Sequence, residues 1–254
     1  MFIHGSFYFW MWMKNKSSFC FWNNMIYLYV VEKEVDIMEN KKELDKYLFI
    51  VSKDRPLSLE KHAWMKKNFE YVPYTDEDGE SCMELETYKA YTALIMVMKK
   101  KYHLDVDSHS AWRSIATQEK VYKEMAEKYG EDWAKSHVAI PGTSEHHTGL
   151  AFDLRFKPSI VPESLRERAK QIIKKTGMQS KIFALIEKEA VKFGLIKRYD
   201  SSKEEITGVK GEAWHFRYVG VEHAKKMYES GMCLEEYVRE LELKQKENKT
   251  TRVA

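Results

Sequence analysis

Ten residues near the middle of the chain, Ser144-Glu-His-His-Thr-Gly-Leu-Ala-Phe-Asp153, set His146 and Asp153 on either side of Gly149. Some way downstream comes Glu212-Ala-Trp-His215. The first pair is too widely spaced to share one helical turn, as an HExxH pair would. It converges only if Gly149 bends the chain between a loop and a strand carrying Asp153. His215, standing perpendicular to a second strand, would close the triangle. Two imidazoles and a carboxylate are three ligands for a zinc ion, with the fourth position left for water. Glu212 is one carboxylate more, placed to act as a base. Its odd spacing from His215 puts the two on opposite faces of a regular strand. Gly211 therefore predicts a turn or bulge that lets Glu212 lean over the metal. Taken singly, these residues read as a loop histidine, a strand-end aspartate and a surface charge. Taken together they favour a metal centre.

Composition narrows the alternatives. The chain is long enough for one substantial domain with appendages. A net charge of +3, with no basic stripe interleaved with aromatics, argues against a nucleic-acid partner. Cys20, Cys82 and Cys233 are odd in number and lack CxxC spacing, so neither a disulfide framework nor a thiolate zinc site is expected. Residues 1–37 differ from the rest. An aromatic run from Phe7 to Met13 and an apolar stretch from Phe19 to Val31 flank Lys14 and Lys16, with no small-residue cleavage site after them. The apolar stretch falls short of a spanning helix. These residues read as an extension outside the domain, and they are the one place where a membrane anchor facing the cell wall could lie. Without them the chain reads as cytoplasmic. Met38 offers an alternative start.

Three regions follow: the extension 1–37, a domain over 38–243, and a polar tail 244–254 expected to fray. Within the domain, Leu48–Ser52 reads as a strand and Thr75–Ser81 as a loop. Leu85, Tyr88, Tyr91, Leu94, Ile95 and Met98 recur at spacings of three and four, which predicts a helix over Glu84–Tyr102. A strand through Asp105–Arg113 and a helix Thr117–Tyr129 stopped by Gly130 come next. Leu150–Leu154 is strand-like. Pro158–Ser180 reads as a loop and helix, and Ile182–Phe193 as a helix closed by Gly194. Leu195–Tyr199 and Ala213–Val219 read as strands, with a turn between them, and Val221–Leu243 as one helix. The expected class is α+β, a small antiparallel sheet flanked by helices with the zinc site on the sheet. Trp214 is expected beneath the site, Phe216 and Tyr218 in the core, and His147 pointing away from the metal.

Ser144-x-His146-x-x-Gly149-x-Ala151-x-Asp153, Glu212-x-Trp214-His215 and Phe216-Arg-Tyr-Val-Gly220 together resemble the LAS group of zinc D,D-peptidases. That group takes in the VanY carboxypeptidases, the VanX dipeptidases and the bifunctional VanXY enzymes. The likeness extends to Ser110-Ala-Trp-Arg-Ser114 with Gln118, to Ile140–His146, and to Phe193–Tyr199 with Ile206-Thr-Gly208. It covers roughly residues 47 to 240, and separated motifs in one order are far more specific than any single match. Trp112 stands where relatives often carry Tyr, and Ala213 where many carry Pro. The resemblance implies a LAS/hedgehog-like fold and one zinc ion held by His146, Asp153 and His215. It implies Glu212 as catalytic base and Arg113 as the cation that steadies the oxyanion. Ser114, Gln118 and Ser144 become candidates for substrate binding. The implied substrate is a peptidoglycan stem peptide or its precursor, cleaved at its C-terminal D-Ala-D-Ala bond. L,D-carboxypeptidase, D-Ala-D-Ala dipeptidase and a non-catalytic wall-peptide-binding module are the alternatives. Oligomeric state is not implied.

Overall fold

A computed structural model describes residues 45–76, 79–156 and 178–253. The extension 1–37 and nearly all of the 158–180 segment lie outside these residues. Elements follow in the order α1 Leu59–Asn68, β1 Tyr71–Asp76, β2 Gly79–Glu84, α2 Leu85–Tyr102, β3 Val106–Ser110, α3 Ile115–Tyr129 and α4 Glu131–His137. After these come β4 Ala151–Phe156, α5 Met178–Ala190, β5 Leu195–Tyr199, α6 Glu204–Thr207, β6 Glu212–Tyr218, α7 Val221–Ser230 and α8 Leu234–Val253. Four strands form an antiparallel sheet in the order β3-β4-β6-β5, and β1 and β2 form a separate two-stranded ribbon. The architecture is the expected α+β one. Among the described residues, no helix is long and apolar enough to cross a membrane.

One face of the sheet is dry. Phe152 and Leu154 of β4 and Phe216 of β6 meet Tyr91, Leu94 and Met98 of α2 and Phe183 and Ile186 of α5. Tyr91 meets Phe152 edge to face, with ring centroids 5.2 Å apart. Period-two alternation sends the intervening residues, Asp153 among them, to the other face. Helix α2 begins where expected because Glu84 caps it, its Oε2 accepting from the Glu86 and Thr87 amides at 2.9 and 3.0 Å. A second apolar cluster joins Val219, Ala224, Met227, Leu234 and Tyr237, and seats α7 and α8.

Four expectations are corrected. Leu48–Ser52 is not a strand, because the Tyr47 and Phe49 carbonyls accept from Arg217 Nη2 at 3.0 and 3.1 Å rather than from a neighbouring strand. Thr75–Ser81 falls in the β1–β2 ribbon, paired from Tyr71 with Glu84 to Asp76 with Gly79. A ribbon needs apolar residues on one face only, so its polar composition read as a loop. The helix expected over Val221–Leu243 is two helices, broken at Gly231, whose φ of 66° is the left-handed stop after α7. Its continuation, α8, runs on to Val253, so the tail expected to fray is helical. Helices α1 and α4 were not anticipated, being short and weakly patterned.

The ends of α2 and α5 are tied by a charge cluster. Buried Glu189 accepts from Tyr102 Oη at 2.6 Å, Lys101 Nζ at 3.1 Å and Lys192 Nζ at 2.7 Å. Burial opposes its charge, but Lys192, Tyr102 and Lys101 outweigh that and draw its pKa from 4.5 down to about 2. A carboxyl lowered on folding stabilises the protein above its unfolded pKa, and that stability is lost as pH falls toward the folded value. In urea unfolding followed by circular dichroism, the stability gap between wild type and Glu189→Gln should therefore be widest near about pH 6. It should close progressively toward about pH 2.5. A gap independent of pH would contradict this assignment.

Candidate metal centre

Sheet register brings the ligands together. Asp153 of β4 and His215 of β6 are direct cross-strand partners, and His215 Nδ1 lies 2.9 Å from Asp153 Oδ1. His146 sits in the 3₁₀ turn Glu145–Thr148, directly before β4, with Nε2 3.5 Å from Asp153 Oδ2. One ligand atom from each of the three residues lies within 4.8 Å of the others. Donors each about 2.0–2.1 Å from a tetrahedral zinc stand about 3.3 Å apart, so the set needs only small adjustments.

Gly149 ends the ligand turn in the left-handed region, φ 70°, as the bend required. It is also a point of close approach. A Cβ there would stand 2.7 Å from Tyr71 Cε1 and 3.2 Å from the Glu84 nitrogen. The β1–β2 ribbon presses on this turn, with Glu84 N donating to Gly149 O at 2.9 Å and Tyr71 Oη to Thr148 O at 3.2 Å.

The loop after β3 grips the same turn from another side. Ala111 O accepts from His146 Nδ1 at 2.6 Å, which leaves Nε2 as a bare donor for a metal. Arg113 N donates to His146 O at 3.2 Å. His147 is buried rather than solvated: Nδ1 donates to Arg113 O at 2.7 Å, and Nε2 accepts from Gly142 N at 3.1 Å. Burial lowers its pKa, in keeping with a neutral ring using both nitrogens structurally. Arg113 is thus fixed to the ligand turn through its backbone. Its guanidinium donates to Gln118 Oε1 and Ser110 Oγ, both at 2.8 Å, and Ser110 pairs with Asp153 across the sheet. Neither side-chain partner is charged, so among the described residues its positive charge is paired with no carboxylate.

Glu212 reaches the site by an irregularity. Lys197 pairs with Phe216 but Tyr199 with Glu212, so β6 carries extra residues opposite β5. This bulge brings Glu212 Oε2 to 3.7 Å from His215 Nδ1 and turns Trp214 outward. Trp214 is 42% exposed and does not lie beneath the site, whereas Phe216 and Tyr218 are buried as expected. Burial raises the Glu212 pKa, partly offset by His215.

Of the substrate-binding candidates, Ser114 caps α3, accepting from Thr117 N at 2.9 Å, and Ser144 caps the ligand turn, accepting from His146 N at 3.3 Å. Gln118 is buried between Arg113 and the Ala139 carbonyl, to which its Nε2 donates at 2.7 Å. In each case these hydrogen bonds are local, to a helix or turn start or to Arg113 and Ala139.

Sequence reading missed Glu145, whose carboxylate turns into the protein with Oε2 3.6 Å from His215 Nε2. Arg198 and Arg217 flank it. All three lie inside the recognised motifs, but nothing in their spacing marks them as buried. Asp153, Glu145 and Glu212 thus surround one imidazole. Burial works against charge on His215, yet Asp153, Glu145 and Glu212 prevail and push its pKa up to about 10. Asp153, likewise against burial, is held well below the usual carboxylate range by His146 and His215. Such a pocket demands a cation, and a divalent metal with two nitrogen donors and a carboxylate satisfies that demand.

Comparison with known proteins agrees with this geometry. The profile of the family described as "VanY: D-alanyl-D-alanine carboxypeptidase" matches residues 80–221, more than half of the chain. The chain belongs to the VanY family. A D-alanyl-D-alanine carboxypeptidase of Enterococcus faecalis is 40% identical over 124 residues, which are 47% of this chain and 40% of that protein. The chain thus matches well under half the length of this VanY-family relative. The bifunctional D-Ala-D-Ala dipeptidase and carboxypeptidase VanXYC of Enterococcus gallinarum is 29% identical over 195 residues, covering 75% of this chain and 92% of that one. A crystal structure of a point mutant of the vancomycin-resistance D,D-pentapeptidase VanY, in complex with Zn(II), superposes with a TM-score of 0.59 at 25% identity. It covers 76% of this chain and 99% of that one.

The Gly149 turn yields a direct test. Gly149→Ala adds both a strained φ and a clash with Tyr71, and should cost on the order of 2 kcal/mol. Thermal unfolding should show a clearly lowered midpoint, and an unchanged one would remove the close approach from the account.

Proposed function

We propose that this protein is a zinc D,D-carboxypeptidase that removes the C-terminal D-alanine from peptidoglycan stem peptides or their precursors. The observation that carries the reading is the convergence of His146, Asp153 and His215 with a fourth residue, the additional carboxylate Glu212, at 3.7 Å from His215. A binding module needs no such base beside its metal. The family and the named activities of its relatives support the substrate class.

His146, Asp153 and His215 would hold the zinc, which when bound polarises the scissile carbonyl and lowers the pKa of water. The protein's own residues do the rest. Glu212, half-buried and raised in pKa, takes the proton of the attacking water and returns it to the departing D-alanine amine. Arg113, with only neutral side-chain partners, offers its charge to the oxyanion as the carbonyl carbon becomes tetrahedral. Gln118 and Ser110 keep that guanidinium from swinging away.

Mass spectrometry of products from pentapeptide, tetrapeptide and free D-Ala-D-Ala tests the substrate. The expected outcome is loss of one D-alanine from the pentapeptide. Cleavage of the tetrapeptide alone would make the enzyme an L,D-carboxypeptidase, and cleavage of the dipeptide alone a dipeptidase. Glu212→Gln should lower kcat by about three orders of magnitude or more while zinc stoichiometry holds. Retained turnover would take Glu212 out of the mechanism. Arg113→Ala should lower kcat by about 10²- to 10³-fold, with a smaller change in KM. A change in KM alone would make Arg113 a binding group.

A further inference from the structure

Behind the ligands, a line of buried charges runs from His215 to the C-terminal helix. Glu145 immediately precedes a ligand, yet its side chain is fully buried. Its Oε1 accepts from Arg198 Nε at 2.8 Å and meets Arg217 Nη1 at 3.3 Å. Its Oε2 faces His215 Nε2 at 3.6 Å, and among the described residues neither of these two atoms has a hydrogen-bond partner. Arg198, on β5, turns its remaining fork to Glu235 on α8: Nη1 donates to Oε2 at 2.9 Å and Nη2 to Oε1. Arg217 gives its other donors to the carbonyls of Tyr218, Tyr47 and Phe49.

Stability alone does not explain this arrangement. Each buried ion costs several kcal/mol to desolvate, and well-packed apolar residues of similar volume often serve as well. What apolar residues cannot supply is an anionic acceptor held still behind an imidazole. The two unpartnered atoms, Glu145 Oε2 and His215 Nε2, face each other and lie within a few tenths of an ångström of a hydrogen bond. The opposite ring nitrogen, Nδ1, is the one turned to Asp153 and Glu212.

We propose that Glu145, Arg198 and Glu235 are positioning residues for the metal ligand His215, making the C-terminal helix α8 a working part of the metal centre. Glu145 accepts the Nε2 proton, so His215 presents Nδ1 to the metal in one orientation. Arg198 holds Glu145, and Glu235 holds Arg198. The inference rests on the zinc reading of the site and adds residues that contact neither metal nor substrate.

The test uses the full chain and zinc alone. Dissociation constants from chelator competition are compared for wild type, Glu145→Gln, Arg198→Lys and Glu235→Gln. Thermal unfolding of the metal-free proteins and ¹⁵N spectra of the histidine rings accompany them. Groups that hydrogen-bond the far nitrogen of a ligating histidine typically contribute about 10- to 100-fold in affinity, and losses of that order are expected for Glu145→Gln. A smaller loss, roughly 3- to 10-fold, is expected for Glu235→Gln. In the zinc-loaded wild type, the His215 ring should carry its proton on Nε2. A merely structural role would lower the unfolding midpoints yet leave the zinc constants of the folded variants within about twofold of wild type, and that result overturns the proposal. Should Glu145→Gln or Arg198→Lys fail to fold, Glu235→Gln and the wild-type ring spectrum decide. A His215 Nε2 without its proton in the zinc form also overturns it. Wild type that binds no zinc would overturn both this proposal and the metal reading, whereas zinc binding untouched by the substitutions removes the relay alone.

Discussion

The contact between Asp153 and His215 across β4 and β6 is the constraint around which the rest of the site is arranged. Both side chains belong on the polar face of a sheet whose other face is filled by Phe152, Leu154 and Phe216. Registration of one strand on the other therefore places two ligands at once, and a one-residue slip of either strand would put them on opposite faces of the sheet. His146 has no such automatic placement. It arrives on a turn, and three separate contacts hold that turn: the Gly149 bend under the β1–β2 ribbon, the Ala111 carbonyl on its imidazole, and the Arg113 amide on its backbone.

The loop that fixes His146 also delivers Arg113. Backbone hydrogen bonds fix the Arg113 main chain to the turn carrying His146, and Gln118 and Ser110 then fix its guanidinium. Glu212 depends instead on the β6 bulge, an insertion that re-aims a carboxylate and as a consequence leaves Trp214 facing solvent. Two routes of construction, a clamped loop and a bulge, thus place the proposed oxyanion cation Arg113 and the proposed base Glu212 by the His146–Asp153–His215 cluster.

Much of this was legible in the sequence, for identifiable reasons. Zinc ligands are restricted to a few residue types, so His146, Asp153 and His215 stand out, and Gly149 between two of them betrays the bend. The odd spacing of Glu212 from His215 announced an irregular strand. Helix α2 and strands β4, β5 and β6 show in their apolar periods. The failures have physical causes as well. The tip of the β1–β2 ribbon, around Thr75–Ser81, is polar, so it read as a loop, and only the cross-strand pairing makes it a ribbon. Residues 48–52 looked like a strand because they are apolar, but a side chain, Arg217, takes the Phe49 carbonyl and that of the preceding Tyr47. Glu145, Arg198 and Arg217 are charges that pattern rules assign to the surface, and only tertiary pairing shows why they can be buried. Trp214 was expected underneath because it adjoins the ligand His215, and although an irregularity was foreseen, the direction in which it turns Trp214 was not.

The account stands or falls on the identity of the metal's donors. Zinc K-edge X-ray absorption on the stoichiometrically loaded protein reads them directly. The prediction is a low-coordinate zinc with two imidazole nitrogens and oxygen donors at about 2.0–2.1 Å, and the signal of one imidazole lost in His215→Ala. Sulfur scattering at about 2.3 Å, or an all-oxygen shell with no imidazole signature, would contradict it.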